Sequence, residues 1–234
     1  MPSTPSPAFP VYRNIPRPPA DLLARFAPLG TADVADSLPP EALLDQGLKP
    51  LWPGARMIGP AITALNRPGD TLMLHYAVDA CQPGDVLVIA SDGPGHCALW
   101  GKMVTISAQA RGAAGALVDG LARDAAAVRE SGFPVWARGL TPRGGTRSGP
   151  GTLNQPILCG ETPIYPGDVI FADDDGVLVI PRHRLEDVLE AGLRRLAAEE
   201  KLLPALRAGA STFALLGLDK AAREAGLEEQ PGLP

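Results

Sequence analysis

Short runs of apolar residues alternate along this chain with segments whose apolar residues recur at helical spacing. The runs at 86–90, 115–118, 169–172 and 176–180 are rich in Val, Ile and Leu and show little polar alternation. Such runs are typical of strands that are buried on both faces. Because helical patterns follow the first two runs, the sequence predicts an α/β fold.

Apolar spacing and turn or capping residues predict the remaining elements. Helices are expected at 20–26, directly after Gly30 with Thr31 as N-cap, at 70–80 with Asp70 as cap, and at 99–111, 123–131, 185–204 and 211–225. Further strands are expected at 134–136, at 155–159 and at 55–66, the last one broken by Gly59-Pro60. We expect Asp119-Gly120 to form a turn, and the strands between 155 and 180 to form a small β cap.

Proline content and apolar patterning divide the chain into three parts. Residues 1–19 contain seven prolines and almost no periodic apolar pattern, so we predict an extended arm that becomes ordered only against another surface, often that of a neighbouring subunit. Residues 20–205 hold the α/β pattern and form the main domain. Residues 206–234 are expected to form a C-terminal helix and tail.

Composition and charge narrow the class of protein. The chain has 234 residues, 45% of them hydrophobic, which is enough for one or at most two domains. Gly and Pro number 26 each, so many loops are expected and a purely helical bundle is not. The net charge of −5 gives no overall cationic field, and charges interrupt every apolar stretch. We therefore expect a cytoplasmic protein with neither a nucleic-acid nor a membrane partner, since no signal-peptide pattern is visible either.

Several polar groups have two interpretations at the level of sequence. Cys81, Cys97 and Cys159 are too widely spaced for a CxxC zinc site and are expected to be buried. The aspartates at 173–175 fit a turn between two strands better than a calcium loop, whose other ligands are missing. The arginines in the segment 138–151 either clamp an anionic substrate or belong to a solvated loop.

The pair Arg123-Asp124 is the most informative feature. It follows the buried run 115–118, so both side chains are expected at the carboxyl edge of the sheet, where α/β folds bind ligands. An aspartate in a first helical turn can simply complement the helix dipole, whereas an arginine there opposes it and usually holds an anion. A second helix beginning near Gly101 should lie beside this one. The two helix starts predict a carboxylate site with a metal ligand beside it.

Four segments resemble the RraA-like family, which includes 4-hydroxy-4-methyl-2-oxoglutarate/4-carboxy-4-hydroxy-2-oxoadipate aldolases and a ribonuclease E inhibitor. The segments are GDVLVIASDG, ALWGKMVTISAQARGAAGALVDGLARD, GFPVWARG and PGDVIFADDDGVLVIP, in the order of the family. The resemblance covers roughly residues 20–205. It implies an α/β sandwich with a swivelling-domain-like core, and trimers or dimers of trimers with sites at subunit interfaces.

The resemblance also implies roles for individual residues. Backbone N–H groups of Gly101, Lys102, Met103 and Val104 would bind the carboxylate of the substrate. Arg123 would stabilise the enolate oxygen, and Asp124 would coordinate Mg²⁺ or Mn²⁺, largely through water. The implied activity is a lyase reaction, either retro-aldol cleavage or decarboxylation of an oxaloacetate-type substrate to pyruvate.

Lys102 departs from the pattern of the family's aldolases, in which twenty residues separate an acidic residue from the Arg-Asp pair. A lysine there could point into solvent, compete with the metal, bind a second carboxylate of the substrate or donate a proton to the enolate. Two other functions therefore stay open. One is a non-catalytic regulator or binding protein of the same family, and the other is a lyase or isomerase that uses Lys102 on a different small acid.

Overall fold

The computed structural model describes residues 9–91, 93, 95–228, 230 and 232. The strands are β1 (Lys49–Pro50), β2 (Met57–Asn66), β3 (Val86–Ser91), β4 (Ala98–Trp100), β5 (Gly115–Ala122), β6 (Val135–Leu140), β7 (Thr152–Leu153), β8 (Ile157–Cys159), β9 (Thr162–Ile164), β10 (Val169–Ala172) and β11 (Val177–Ile180). The helices are α1 (Ala20–Ala24), α2 (Thr31–Ala35), α3 (Leu72–Ala80), α4 (Lys102–Ala110), α5 (Ala125–Glu130), α6 (Leu185–Arg207), α7 (Thr212–Leu215) and α8 (Asp219–Glu224).

A mixed sheet organises the fold. Its strand order is β1-β6-β5-β3-β2-β10-β11, with β4 paired to the end of β5 and β7 paired to β2. The central strands β2, β3, β5 and β6 are parallel, and β10 and β11 are antiparallel. The predicted α/β class is therefore confirmed.

Three apolar clusters bury this sheet. On one face α3 and α4 cover residues such as Ile89, Val118 and Trp100, whose ring stacks on Phe133. On the other face the β8–β9 hairpin covers Trp136 and its neighbours. Under α6 a third cluster packs against β10 and β11. The burial of both faces explains why the strands carry continuous apolar runs.

The predicted β cap is wrong for most of its length. β10 pairs with β2, with Val169 opposite Pro60, so β10 and β11 extend the main sheet. Only β8 and β9 form a separate two-stranded hairpin. Gly59-Pro60 does not break β2 either. Pairing of β2 with β3 begins only at Ala61, so the missing N–H of Pro60 removes no bond from that ladder.

The boundaries around the site also differ from the prediction. Asp119-Gly120 does not form a turn, because β5 continues to Ala122 with a register shift between Val118 and Leu121. The short strand β4 pairs with this extension of β5. As a result, α4 begins at Lys102 and not at 99, and α5 begins at Ala125 and not at 123.

The described part of the N-terminal arm, residues 9–19, packs on its own domain. Tyr12 donates its N–H to the carbonyl of Leu153 (3.2 Å). Arg17 forms two hydrogen bonds of 2.8 Å with the fully buried carboxylate of Asp85. These contacts hold residues 9–19 against the domain of the same chain. Residues 1–8 lie outside the described residues.

The C-terminal segment is helical but divided. α6 extends to Arg207 and includes Pro204, and the helix expected at 211–225 is two short helices. Gly217, with a φ of +63°, separates them. No helix among the described residues is both long and apolar enough to span a bilayer.

Candidate active site

Arg123 and Asp124 form the connection between β5 and α5. The N–H of Arg123 donates to the carbonyl of Trp100 (2.9 Å), which ties this connection to the end of β4. Asp124 is the N-cap of α5 and has a φ of +58° in the left-handed region. Aspartate tolerates that conformation better than most residues. The backbone of this connection therefore fixes the positions of the Cα and Cβ atoms of both residues.

The Asp124 carboxylate joins this connection to the start of α4. Its Oδ2 accepts a hydrogen bond from the N–H of Lys102 (3.0 Å) and lies 3.8 Å from Nε of Arg123. The side chains of Arg123 and Asp124 are 38% and 44% exposed. The structure thus brings Gly101 and Lys102 next to Arg123 and Asp124 at a partly open surface.

Gly101 is required by this close approach. A Cβ at this position would lie 2.9 Å from both Asp124 Oδ2 and Arg123 Cγ, which is closer than such atoms pack. The first bond of α4 runs from the N–H of Thr105 to the carbonyl of Gly101 (3.0 Å). The N–H groups of Met103 and Val104 precede that bond and find no acceptor within the described part of the chain. They are available to an anion.

Arg123 lies between two concave regions. On one side it lines a cleft of about 330 Å³ together with Asp124, Leu140 and Thr141. On the other side its guanidinium approaches Gly144, where a Cβ would lie 2.9 Å from Nη1. Gly144 belongs to a pocket of about 290 Å³, whose lining also includes Gly69, His96, Cys97, Arg143 and Thr146. The guanidinium therefore lies at the cleft and next to the Gly144 edge of this pocket.

Asp70 holds the loop that passes close to Arg123 at Gly144. Its buried carboxylate accepts hydrogen bonds from Thr146 Oγ1 and from the N–H groups of Leu72, Ser148 and Gly149. Burial alone would raise the pKa of Asp70, but these four hydrogen bonds outweigh it and hold the pKa well below its usual value. The 141–151 loop is therefore pinned to the start of α3 and does not form a free lid.

The three arginines of the predicted anion clamp separate in the structure. Arg138 belongs to β6 and pairs with Asp45 (3.0 Å) and Asp119. Arg147 donates its Nε–H to Nε2 of His75 (3.3 Å). Burial and Arg147 lower the pKa of His75 while Asp70 opposes them, which favours a neutral imidazole that accepts this bond. Only Arg143 lines the pocket beside Arg123.

We expect Asp70→Asn to lower the free energy of unfolding by about 3 kcal/mol, because a neutral amide cannot accept from all the donors that face it. Denaturant titration measures this change. Asp79→Asn is the matched control, since Asp79 pairs with Arg13 at an exposed surface and should matter little. Equal losses in the two variants would show that Asp70 does not organise the loop.

The site contains one candidate metal ligand. Among the described residues, no group of three or more His, Cys, Asp or Glu side chains lies close enough to hold a metal ion. Asp124 Oδ1 has no hydrogen-bond partner there, so one carboxylate oxygen is available. Mg²⁺ often binds proteins through one or two carboxylates and keeps several waters. Asp124 therefore fits a water-rich Mg²⁺ or Mn²⁺ whose remaining ligands come from water and substrate.

Comparison with known proteins identifies the family. The RraA-like family model, described as Aldolase/RraA, matches residues 31–179, which is more than half of the chain. The chain therefore belongs to the RraA-like family, and the resemblance that the four sequence motifs indicated is confirmed.

Named relatives point to two kinds of protein. A Halalkalibacterium halodurans protein with the provisional name 4-hydroxy-4-methyl-2-oxoglutarate aldolase is 37% identical over 180 residues, 77% of this chain and 86% of its own. Protein DlpA of Legionella pneumophila is 32% identical over 223 residues, 91% of this chain but only 35% of DlpA. The structure of Streptomyces coelicolor RraAS2, described as an unusual member of the RNase ES inhibitor RraA protein family, matches with a TM-score of 0.72 and 31% identity, covering 79% of this chain and 96% of RraAS2. These relatives support an aldolase-type lyase at the level of the family, which also contains inhibitor proteins.

Proposed function

We propose that this protein is a lyase that breaks the C3–C4 bond of a carboxylated 2-oxo acid and releases pyruvate. One observation carries the proposal. The Arg123 guanidinium and the Asp124 carboxylate lie at the start of α4, where the N–H groups of Met103 and Val104 find no acceptor among the described residues. The names of the relatives supply the reaction class, and this surface supplies the groups that such a reaction needs.

The N–H groups at the start of α4 would hold the carboxylate next to the keto group of the substrate. When the C3–C4 bond breaks, its electron pair moves into the pyruvate part and negative charge grows on the former keto oxygen. Arg123 would stabilise that charge, and a proton then adds to C3 to give pyruvate. In retro-aldol cleavage the C4 hydroxyl loses its proton and becomes a carbonyl. In decarboxylation the other product is CO₂.

The chemistry of a divalent cation fits the same surface. When bound at Asp124, Mg²⁺ or Mn²⁺ would act as a Lewis acid toward the keto oxygen. The Asp124 carboxylate would then have two tasks, because it also accepts the N–H of Lys102 and so positions the start of α4. A substrate bound there would lie between Arg123 and this helix start.

The backbone N–H of Lys102 contacts the site directly, whereas its side chain does not. Its N–H contacts Asp124, and no carboxylate oxygen in the described part of the chain lies within ion-pair distance of its ammonium. The side chain is exposed at the edge of the site. The direct ion pair between the Lys102 ammonium and Asp124 is therefore not formed, and the roles that we propose for this side chain are binding of a second substrate carboxylate or proton donation to the enolate.

We expect Lys102→Glu to tighten Mg²⁺ binding by roughly tenfold, because the charge beside Asp124 becomes more negative by two units. It should also raise retro-aldol activity on 4-hydroxy-4-methyl-2-oxoglutarate. Calorimetric titration of Mg²⁺ into both proteins measures the first effect, and Lys201→Glu on α6 controls for net charge. Equal affinities in all three proteins would place the Lys102 side chain outside the site.

We also predict that the protein forms a homotrimer or a multiple of it in solution. The family resemblance implies trimers, and Met103 at the site is 77% exposed, which leaves room for a neighbouring subunit to complete the surface. Light scattering at micromolar concentration measures the mass. A value near the 24.3 kDa of one chain would contradict this prediction.

The direct test of the proposed reaction is pyruvate release from oxaloacetate and from 4-hydroxy-4-methyl-2-oxoglutarate, with Mg²⁺ and with EDTA. Release that needs Mg²⁺ supports the lyase. No release from either substrate would favour a regulator, or an enzyme of this family that acts on another small acid.

A further inference from the structure

The pocket of about 290 Å³ beside Gly144 is formed by three segments of the chain. They are Pro68-Gly69, the residues 95–97, and part of the 141–151 loop. From this loop Arg143, Gly144 and Thr146 line the pocket. Arg143 gives the lining a permanent positive charge, because a guanidinium stays protonated in proteins.

Arg143 differs from the other two arginines of the segment 138–151 in having no partner of its own. Arg138 pairs with two aspartates, and Arg147 contacts His75. No acidic side chain within the described part of the chain pairs with Arg143. Its guanidinium is therefore available to an external carboxylate, whose planar shape it matches with parallel N–H donors.

The backbone around Arg143 is held in place. Its carbonyl accepts a hydrogen bond from the N–H of Ala98 (2.7 Å), and the N–H of Thr146 donates to the carbonyl of Gly69 (2.9 Å). Gly145 packs so closely that a Cβ there would lie 2.8 Å from the carbonyl oxygen of Gly69. Because this segment is ordered before a ligand binds, its backbone loses little conformational entropy on binding.

Arg123 connects this pocket with the start of α4. A Cβ on Gly101 would lie 3.1 Å from Nε of Arg123, and a Cβ on Gly144 would lie 2.9 Å from Nη1. The guanidinium thus extends from the helix start, where the first carboxylate of the substrate would bind, to the edge of the pocket. A substrate with its keto oxygen at Arg123 has room for the far end of its carbon chain on the Gly144 side.

We infer that Arg143 binds the second carboxylate of the substrate and makes the protein selective for 2-oxo diacids. The inference rests on the proposed lyase function, which sets the orientation of the substrate. The charges favour a diacid, because Arg123, Arg143 and Lys102 surround the single carboxylate of Asp124. Lys102 lines neither this pocket nor the cleft of about 330 Å³, which leaves proton donation as its role.

A second carboxylate bound by Arg143 favours retro-aldol cleavage over decarboxylation. A carboxylate that leaves as CO₂ loses its negative charge, so a guanidinium bound to it would stabilise the substrate more than the transition state. In retro-aldol cleavage the second carboxylate stays on C4 and keeps its charge in the carbonyl product. Arg143 can therefore hold this carboxylate throughout the reaction.

Two acids that the proposed reaction does not cleave test the inference by binding alone. 2-Oxoglutarate has neither a hydroxyl on C4 nor a carboxylate on C3, and 2-oxopentanoate has a methyl group in place of its second carboxylate. Calorimetry with Mg²⁺ present measures the affinity of the protein for each acid. Arg147→Ala is the control variant, because Arg147 belongs to the same loop but does not line the pocket.

The native protein should bind 2-oxoglutarate more tightly than 2-oxopentanoate by roughly tenfold or more. Arg143→Ala and the bulkier Arg143→Gln should both lose this preference, and Arg147→Ala should keep it. Circular dichroism checks that each variant is folded. Equal affinities for the two acids in the native protein, or a preference that persists without Arg143, would overturn the inference. A preference lost in Lys102→Ala but kept in Arg143→Ala would assign the second carboxylate to Lys102 and overturn it as well.

Failure of the lyase proposal gives a different result. A preference for 2-oxoglutarate that depends on Arg143, without pyruvate release from 4-hydroxy-4-methyl-2-oxoglutarate, would contradict the lyase and support diacid binding by Arg143. Pyruvate release without this preference would support the lyase and overturn the role of Arg143.

Discussion

Arg123→Ala is expected to lower kcat for pyruvate release by roughly a hundredfold or more, the scale seen when one charge partner of a transition state is removed. The guanidinium lies 3.8 Å from Asp124 Oδ2 and beside the start of α4, where the enolate oxygen would develop. Because the side chain is 38% exposed, its loss should change the free energy of unfolding little. Steady-state kinetics together with denaturant titration separate the two effects.

Arg129→Ala is the matched control for this variant. Arg129 is exposed near the end of α5 and does not line the cleft beside Arg123. The Arg129→Ala substitution also removes one positive charge from the region of α5, and it should leave kcat nearly unchanged. If both variants kept the rate of the native protein, the chemistry would lie in another part of the molecule.

Asp124→Asn is expected to abolish the dependence of the rate on Mg²⁺ and to weaken Mg²⁺ binding beyond calorimetric detection. An amide oxygen can still accept the N–H of Lys102, and asparagine tolerates the left-handed backbone at this position. The variant therefore preserves the start of α4 while removing the charge that a cation requires. Calorimetry and a Mg²⁺ titration of the rate measure the outcome.

Asp175→Asn serves as its control, since Asp175 lies in the exposed turn between β10 and β11. This variant removes the same charge but should bind Mg²⁺ as the native protein does. Retention of Mg²⁺ affinity in Asp124→Asn would mean that Asp124 only positions α4.

Local sequence patterns predicted much of the fold. The runs 86–90 and 169–172 are strands because continuous Val, Ile and Leu can only be buried on both faces of a covered sheet. The pairing of β10 with β2 was missed, because it joins segments more than a hundred residues apart and leaves no local pattern. The local pattern does not predict the continuation of β5 through Asp119-Gly120 either, since it places the partner strand β4 in a helix.

The candidate site was predictable only in part. A buried strand followed by Arg123-Asp124, and a helix start near Gly101, place their groups at one edge of the sheet by topology alone. No local sequence pattern indicates that Asp70 holds the 141–151 loop. This contact consists of hydrogen bonds that Asp70 accepts from backbone N–H groups more than seventy residues away. Because every residue except proline has such an N–H group, the residue types at those positions do not indicate the contact.

Exchange of the methyl protons of pyruvate in D₂O, followed by ¹H NMR, measures whether the surface around Arg123 stabilises an enolate. A site that stabilises the pyruvate enolate must exchange these protons whichever substrate it normally cleaves. We predict that the protein with Mg²⁺ accelerates loss of the methyl signal, that oxalate suppresses this exchange, and that Arg123→Ala removes it. Exchange no faster than in buffer with Mg²⁺ alone would contradict enolate stabilisation at this site.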